Sequence, residues 1–386
     1  MNGLPYWRLS LFYFFYFAVL GGFMPYWSLY LDRLAFTPAD IGRLTAIGML
    51  TRIIAPGFWG WLADTTGKRI ELVRLGAVMI CLFWAGIPFI GHIFWLMAAV
   101  LFGYSFFQNA ILAQFEAVTI AHLGEERSRY GRIRLWGSIG FIATVAGLGF
   151  LFDHVSVTAL PELLLACAVI AAVIARRVPK PPGESVSARR ESIRAVLCRR
   201  PVLVFLGVHF LLQLSHAPYY GFFSLYMEKH GYSRAEIGLL WSLGVLAEVL
   251  AFTQTHRLLT RWRESTLIAA CLILAALRWF VIGWGVASPV LIVAVQVLHA
   301  FSFAVFHAVA MQWVFREFSA GQQGQGQALY SALWGLGVAV GSWLAGECWS
   351  LESAPWIYTA SSLICLTALG WLWWSRWPEE SGKAPA

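Results

Sequence analysis

Five ionisable residues stand inside long apolar stretches: Arg52, Glu116, Arg134, Glu248 and Arg278. A charge held in hydrocarbon is expensive unless paired or hydrated, so each marks a place where solvation has been exchanged for something else. Three Arg against two Glu leave one positive charge over. A carboxylate would balance it, and a guanidinium can hold a carboxylate through two parallel hydrogen bonds. Glu347 would cancel the surplus if it faced inward. Neutral polar residues share faces with these charges. His209, Gln213, His216 and Tyr220 fall on one helical stripe, Gln296, His299, Phe303 and His307 on a second, and Ser105, Asn109 and Glu116 on a third. In a bilayer such stripes must face protein or water, and interhelical hydrogen bonding is the plainer use for any one of them.

The residues sort into two groups. Arg52, Asn109, Glu116, Arg134, His216 and Tyr220 are expected to contact a solute, with Phe301, Phe303 and Trp136 supplying aromatic surface for it. Glu248, Arg278, His299 and His307 are expected to handle protons, with Glu248 and Arg278 as a direct ion pair. Arg52 lies fifteen residues past Thr37, and Glu248 fifteen past Ser233, which puts both about 22 Å down their helices.

Other chemistries find no support. There is no G-x-x-x-x-G-K-[ST] loop for a nucleotide and no H-E-x-x-H spacing for a metal. The cysteines (Cys81, Cys167, Cys198, Cys271, Cys348 and Cys365) are scattered without a C-x-x-C pair. No cofactor and no metal are expected, and no enzyme, because the histidines are spread along helices rather than converging at a face.

The elements that carry these residues are membrane spans. Of 386 residues, 59% are hydrophobic and only 12% charged, too little charge to clothe a soluble domain. Apolar runs long enough to cross a bilayer recur at about 8–31, 40–63, 71–90, 93–121, 130–152 and 159–177, then at about 201–227, 235–256, 265–284, 289–314, 323–348 and 354–375. The expected fold is an all-α membrane protein of twelve helices in two pseudo-symmetric six-helix bundles. Residues 1–177 form the first, 178–200 a basic, proline-broken linker, and 201–386 the second. The net charge of +8 does not imply nucleic acid. Lys68, Arg69, Arg74, Arg127, Arg129, Arg132 and the linker cluster fall in alternate loops, which predicts both termini in the cytoplasm.

The chain also repeats itself. SLYLDRLAFTPADIGRL from Ser28 aligns without a gap on SLYMEKHGYSRAEIGLL from Ser224. Each copy leads into a capping box, Thr37 with Asp40 and Ser233 with Glu236. Duplicated six-helix halves with a solute site between them at mid-membrane are a transporter design.

Gly60-Trp61-Leu62-Ala63-Asp64-Thr65-Thr66-Gly67-Lys68-Arg69 resembles the G-x-x-x-D-[RK]-x-G-[RK]-[RK] signature of the major facilitator superfamily, with Thr65 replacing one basic residue. Gly60, Asp64, Gly67, Lys68 and Arg69 would then form a conformational gate, Asp64 facing a helix N-terminus or an Arg of the other half. The stretch from Phe14 and Gly131-Arg132-Ile133-Arg134-Leu135-Trp136-Gly137 resemble lactose permease. Thr51 to Pro56, Trp241 to Val249, Leu277-Arg278-Trp279 and Leu298 to Phe303 resemble the phenylpropionate permeases. The resemblance implies a monomeric secondary carrier in the bacterial inner membrane. It would move a small organic acid with protons by alternating access; sugar or nucleoside symport and drug efflux are the alternatives.

Overall fold

The computed structural model describes residues 4–181, 193–319 and 321–375. Twelve long helices order the described chain: α1 Tyr6–Arg33, α2 Pro38–Thr66, α3 Arg69–Gly86, α4 Phe94–Leu123, α5 Tyr130–Phe152, α6 Leu160–Arg177, α7 Arg200–Lys229, α8 Arg234–Arg261, α9 Glu264–Trp284, α10 Pro289–Glu317, α11 Gln323–Cys348 and α12 Ala354–Trp374. No strand occurs among the described residues. Eleven of the helices are long and apolar enough to cross a membrane by composition alone. The remaining one is α2, whose hydropathy is lowered by Arg52 in mid-helix. Large apolar side chains such as Phe89, Trp95, Leu250, Val290 and Trp374 lie on the surface, as hydrocarbon requires.

Helix ends obey local chemistry. The Thr37 hydroxyl accepts from the N–H of Asp40 while the Asp40 carboxylate takes the N–H of Thr37. Ser233 and Glu236 repeat the arrangement at α8, so both capping boxes form. The Asp153 carboxylate adds a second cap there, accepting from the N–H of Arg234 at 2.8 Å and of Ala235 at 3.3 Å.

The chain divides into two compact units, Met1–Ala188 with Ser233–Leu239, and Arg189–Tyr232 with Leu240–Ala386. In the first, α1 packs on α5 and α6, α2 on α4, and α3 on α4 and α6. In the second, α7 packs on α11 and α12, and α9 on α12 and α10. These four pairings match four of the first unit's five, displaced by six helices. The α1–α5 crossing is backbone to backbone: a Cβ on Gly21 would stand 2.6 Å from the carbonyl oxygen of Phe141.

Of the expected linker, residues 182–192 lie outside the described residues. Its start is fixed to the first unit. Arg74 donates to the carbonyls of Ala175, Arg176 and Val178, Arg8 to that of Arg177, and Lys180 pairs with Glu71 at 2.6 Å. Cations at the last carbonyls of α6 complement its dipole. A single turn, Arg194–Leu197, precedes α7.

Candidate functional site

Within the second unit, α7, α9 and α10 turn their polar residues toward one another. Arg278 on α9 is fully buried. Its guanidinium lies 4.2 Å from the ring centroid of Tyr219 and 4.6 Å from that of Trp279, so π faces cover the charge. Nη1 pairs with Nδ1 of His299 at 3.0 Å, and Nη2 donates to Oε1 of Gln296 at 3.1 Å. The Tyr219 hydroxyl donates to the same Oε1 at 3.2 Å. A guanidinium has donors only, so Nδ1 of His299 must accept, and the neutral ring carries its proton on Nε2. Nε2 faces Oε2 of Glu248 at 3.8 Å, beyond direct hydrogen-bond length. The imidazole thus stands between base and acid. The direct Glu248–Arg278 pair expected from the sequence is not formed, and among the described residues no carboxylate reaches Arg278.

His216, one per cent exposed, donates from Nδ1 to the carbonyl of Leu212 at 2.7 Å, with Nε2 3.1 Å from the Ser302 hydroxyl. Its ring meets Trp279 edge-on. Tyr220, four residues on, sits between the rings of Trp241 and Trp334. The fourth histidine falls elsewhere. A π turn over Phe301–Val305 interrupts α10, and one extra residue rotates the rest of the helix by about 100°. His307 is carried to α11, with Nδ1 3.3 Å from the Tyr330 hydroxyl. His209 stacks on the same Tyr330 ring, centroids 4.1 Å apart. The α-helical stripe that put His307 beside His299 does not survive the π turn.

The first unit has a cluster of its own. Arg134 on α5 approaches Glu116 on α4 at 3.8 Å and lies over Phe17, 4.1 Å from the ring centroid. Asn109 donates to the Thr51 hydroxyl at 2.8 Å, next to Arg52. Tyr16 on α1, hydrogen-bonded to the carbonyl of Gln108, lies within electrostatic reach of Arg52, Glu116 and Arg134. Three of the four solute residues expected in this half, Arg52, Glu116 and Arg134, therefore act electrostatically on one tyrosine. Glu347 is exposed and accepts from the Trp343 indole at 3.1 Å, so it does not offset the buried cations.

At the α2–α3 connection, Asp64 pairs with Arg69 at 2.5 Å, and Arg69 also donates to Gln114 on α4 at 2.7 Å. Asp64 thus has a partner within its own motif. Gly67 ends α2 in the left-handed region, φ +64°, donating to the carbonyl of Ala63, a conformation that glycine adopts without strain. Lys68 is the N-cap of α3, and Gly60 lies one turn before Asp64. The second unit, which lacks the motif, ties the corresponding ends of α9 and α10 with Glu264 and Arg316, 2.7 Å apart.

Buried charges tied through neutral partners, on a six-helix pattern used twice, are what a solute carrier needs. The profile described as the MFS_1 like family matches residues 6–360. The chain belongs to this family. The chain is 34% identical over 337 residues to the probable 3-phenylpropionic acid transporter of Escherichia coli (strain K12), covering 84% of this chain and 86% of that protein. It is 28% identical over 339 residues to the maltose permease of Geobacillus stearothermophilus, covering 86% and 84%. The solved structure of the nucleoside transporter NupG superposes with a TM-score of 0.83 at 15% identity, covering 97% of this chain and 99% of that one. This family member is therefore a multi-pass transporter of the major facilitator type, not an enzyme.

Sequence reasoning passed over several residues that complete the transporter's two clusters. Gln296 was visible in a polar stripe but had no assigned role. Tyr219 lay beside Tyr220 and off the stripe, and Trp279 and Tyr16 looked like ordinary membrane aromatics. Only Trp279 carried a signal, an indole directly beside the intramembrane Arg278.

Proposed function

We propose that this transporter is a proton-coupled symporter for a small organic acid, an aromatic or other carboxylic acid such as a phenylpropionate-like compound. It works by alternating access in the bacterial inner membrane, as a monomer with both termini in the cytoplasm. The observation that carries the reading is the Arg278–His299–Glu248 series, with a fully buried guanidinium at one end and a carboxylate 3.8 Å from the imidazole at the other. His299 is fixed in one tautomer by Arg278, which leaves Glu248 as the group that takes and releases the proton. His307, placed at Tyr330, is read as outside the coupling series. Arg52, Asn109, Glu116, Arg134, His216 and Tyr220 contact the solute, and Gly60, Asp64, Gly67, Lys68 and Arg69 act as the gate. The aromatic surface around Arg278 supports an aryl solute, as does the resemblance to a relative described as a 3-phenylpropionic acid transporter.

A second reading, sugar or nucleoside symport, is favoured by Glu116 and Arg134, 3.8 Å apart on facing helices, since such a pair can bind hydroxyls from both partners. Counterflow in proteoliposomes with 3-phenylpropionate, maltose and uridine separates the two readings. The first expects exchange of the acid, with alkalinisation of the medium as it enters. Exchange confined to maltose or uridine would favour the second. Uptake of the acid without any proton movement would remove the symport.

A further inference from the structure

We infer that Arg278 and Gln296 form the subsite that takes the solute's carboxylate, so that one anion and one proton cross together with no net charge. The inference rests on the organic-acid reading above and assigns the anion to a residue otherwise given to proton coupling.

Hydrogen-bond accounting carries it. Both residues are fully buried. The carbonyl end of Gln296 must face Arg278, because a guanidinium can only donate, so Oε1 is occupied twice, by Arg278 Nη2 and by the Tyr219 hydroxyl. That orientation leaves the amide Nε2 without an acceptor, and Nε of Arg278 has none either. Two donors of one hydrogen-bonded pair therefore lack anything to donate to. Every direct partner of the guanidinium is neutral: an imidazole, an amide and two aromatic faces. A buried cation with neutral partners and two spare donors on the same pair fits a monoanion with paired acceptor oxygens. A hydroxyl could use the donors but would leave the charge, and a dianion would overshoot it. The flanking rings of Tyr219 and Trp279 suit an aryl or alkyl tail.

The charge count then sets the stoichiometry. Without solute, Arg278 and Glu248 carry opposite charges at the two ends of the series through His299. A bound carboxylate adds one negative charge beside the same guanidinium, and a proton on Glu248 removes it. The loaded set holds Arg278 positive, the solute negative and Glu248 neutral, so solute and proton move as a neutral pair.

The test uses the full chain, purified and reconstituted, with two readouts. In the first, labelled 3-phenylpropionate uptake driven by an inward acid gradient is measured with the membrane potential clamped at zero and at about 100 mV, interior negative, a field that acts on every net charge moved. The two rates are expected to agree, and a several-fold difference would overturn the neutral pair. In the second, thermal stabilisation by 3-phenylpropionate, benzoate and their amides is compared, since a ligand of the folded state raises apparent stability. Wild type is expected to be stabilised by the acids and not by the amides. Arg278→Gln is expected to lose that preference by about tenfold or more in half-saturating concentration. Gln296→Glu supplies the carboxylate from the chain itself, so it is expected to fold at least as well as wild type and no longer respond to acids. If either variant still prefers acid over amide, the subsite is wrong. Chloride added in place of the acids separates the sources: stabilisation by chloride equal to that by the acids makes this an inorganic-anion site and overturns the solute assignment. Stabilisation by acids that are never transported would refute the organic-acid function and leave the anion subsite standing.

Discussion

Gly21 on α1 offers the sharpest test of how the first bundle is held together. A methyl there would stand 2.6 Å from the carbonyl oxygen of Phe141 and 3.0 Å from its Cα, both on the backbone of α5. Carbon and carbonyl oxygen settle no closer than about 3.3 Å, so the two helices would have to part by about 0.7 Å. Backbone cannot swing aside as a side chain can, and overpacking of this kind costs about 1–3 kcal/mol. Gly147 on α5 is the control, because a Cβ there meets nothing within 4 Å, and exchanging glycine for alanine in a helix favours the helix by about 1 kcal/mol. Purified Gly21→Ala is therefore expected to unfold in detergent several degrees below wild type, and Gly147→Ala at or above it. The assay is a thiol-reactive dye melt at one fixed scan rate, since unfolding of such proteins is commonly irreversible. Equal melting temperatures for the two variants would refute the claim that α1 and α5 meet through their backbones.

The site carries further expectations. Glu248→Gln should retain counterflow and lose accumulation driven by an acid gradient, where a one-to-one symporter gains about tenfold per pH unit; accumulation at the wild-type level would clear Glu248 of coupling. Arg134→Lys keeps the charge near Glu116 but forfeits the flat contact with Phe17, 4.1 Å away, so half-saturation for solute should rise by about tenfold with little change in melting. Asp64→Asn leaves Arg69 with Gln114 alone. Because the pair is about a quarter exposed on each side, the stability loss should be at most about 1 kcal/mol, with the larger effect on transport rate in single-turnover uptake.

Much of the architecture was legible because its signals are long-range and redundant. Hydropathy marks each span over some twenty residues, the Ser28 and Ser224 segments repeat without a gap, and both capping boxes are spelled out by hydroxyl and acid three residues apart. Arg278, His299 and Glu248 were legible as suspects because charge in an apolar span is rare. Their arrangement was not, because the order of partners depends on which side chain fills the space between helices. An imidazole at 3.0 Å from the guanidinium replaces a direct ion pair, and no spacing rule encodes that choice. His307 was misplaced for a different reason. Counting in steps of 3.6 assumes an unbroken α-helix, and Phe301–Val305 carries no proline or glycine to warn of a π turn.

That π turn divides α10 into two segments whose faces are indexed independently. A one-residue deletion anywhere from 301 to 305 would return the helix to a single phase and swing His307 about 100° away from Tyr330, while leaving Gln296 and His299 on their present side. Length, rather than composition, is what these five residues contribute: they act as a spacer that lets one helix present Gln296 and His299 to Arg278 and His307 to Tyr330.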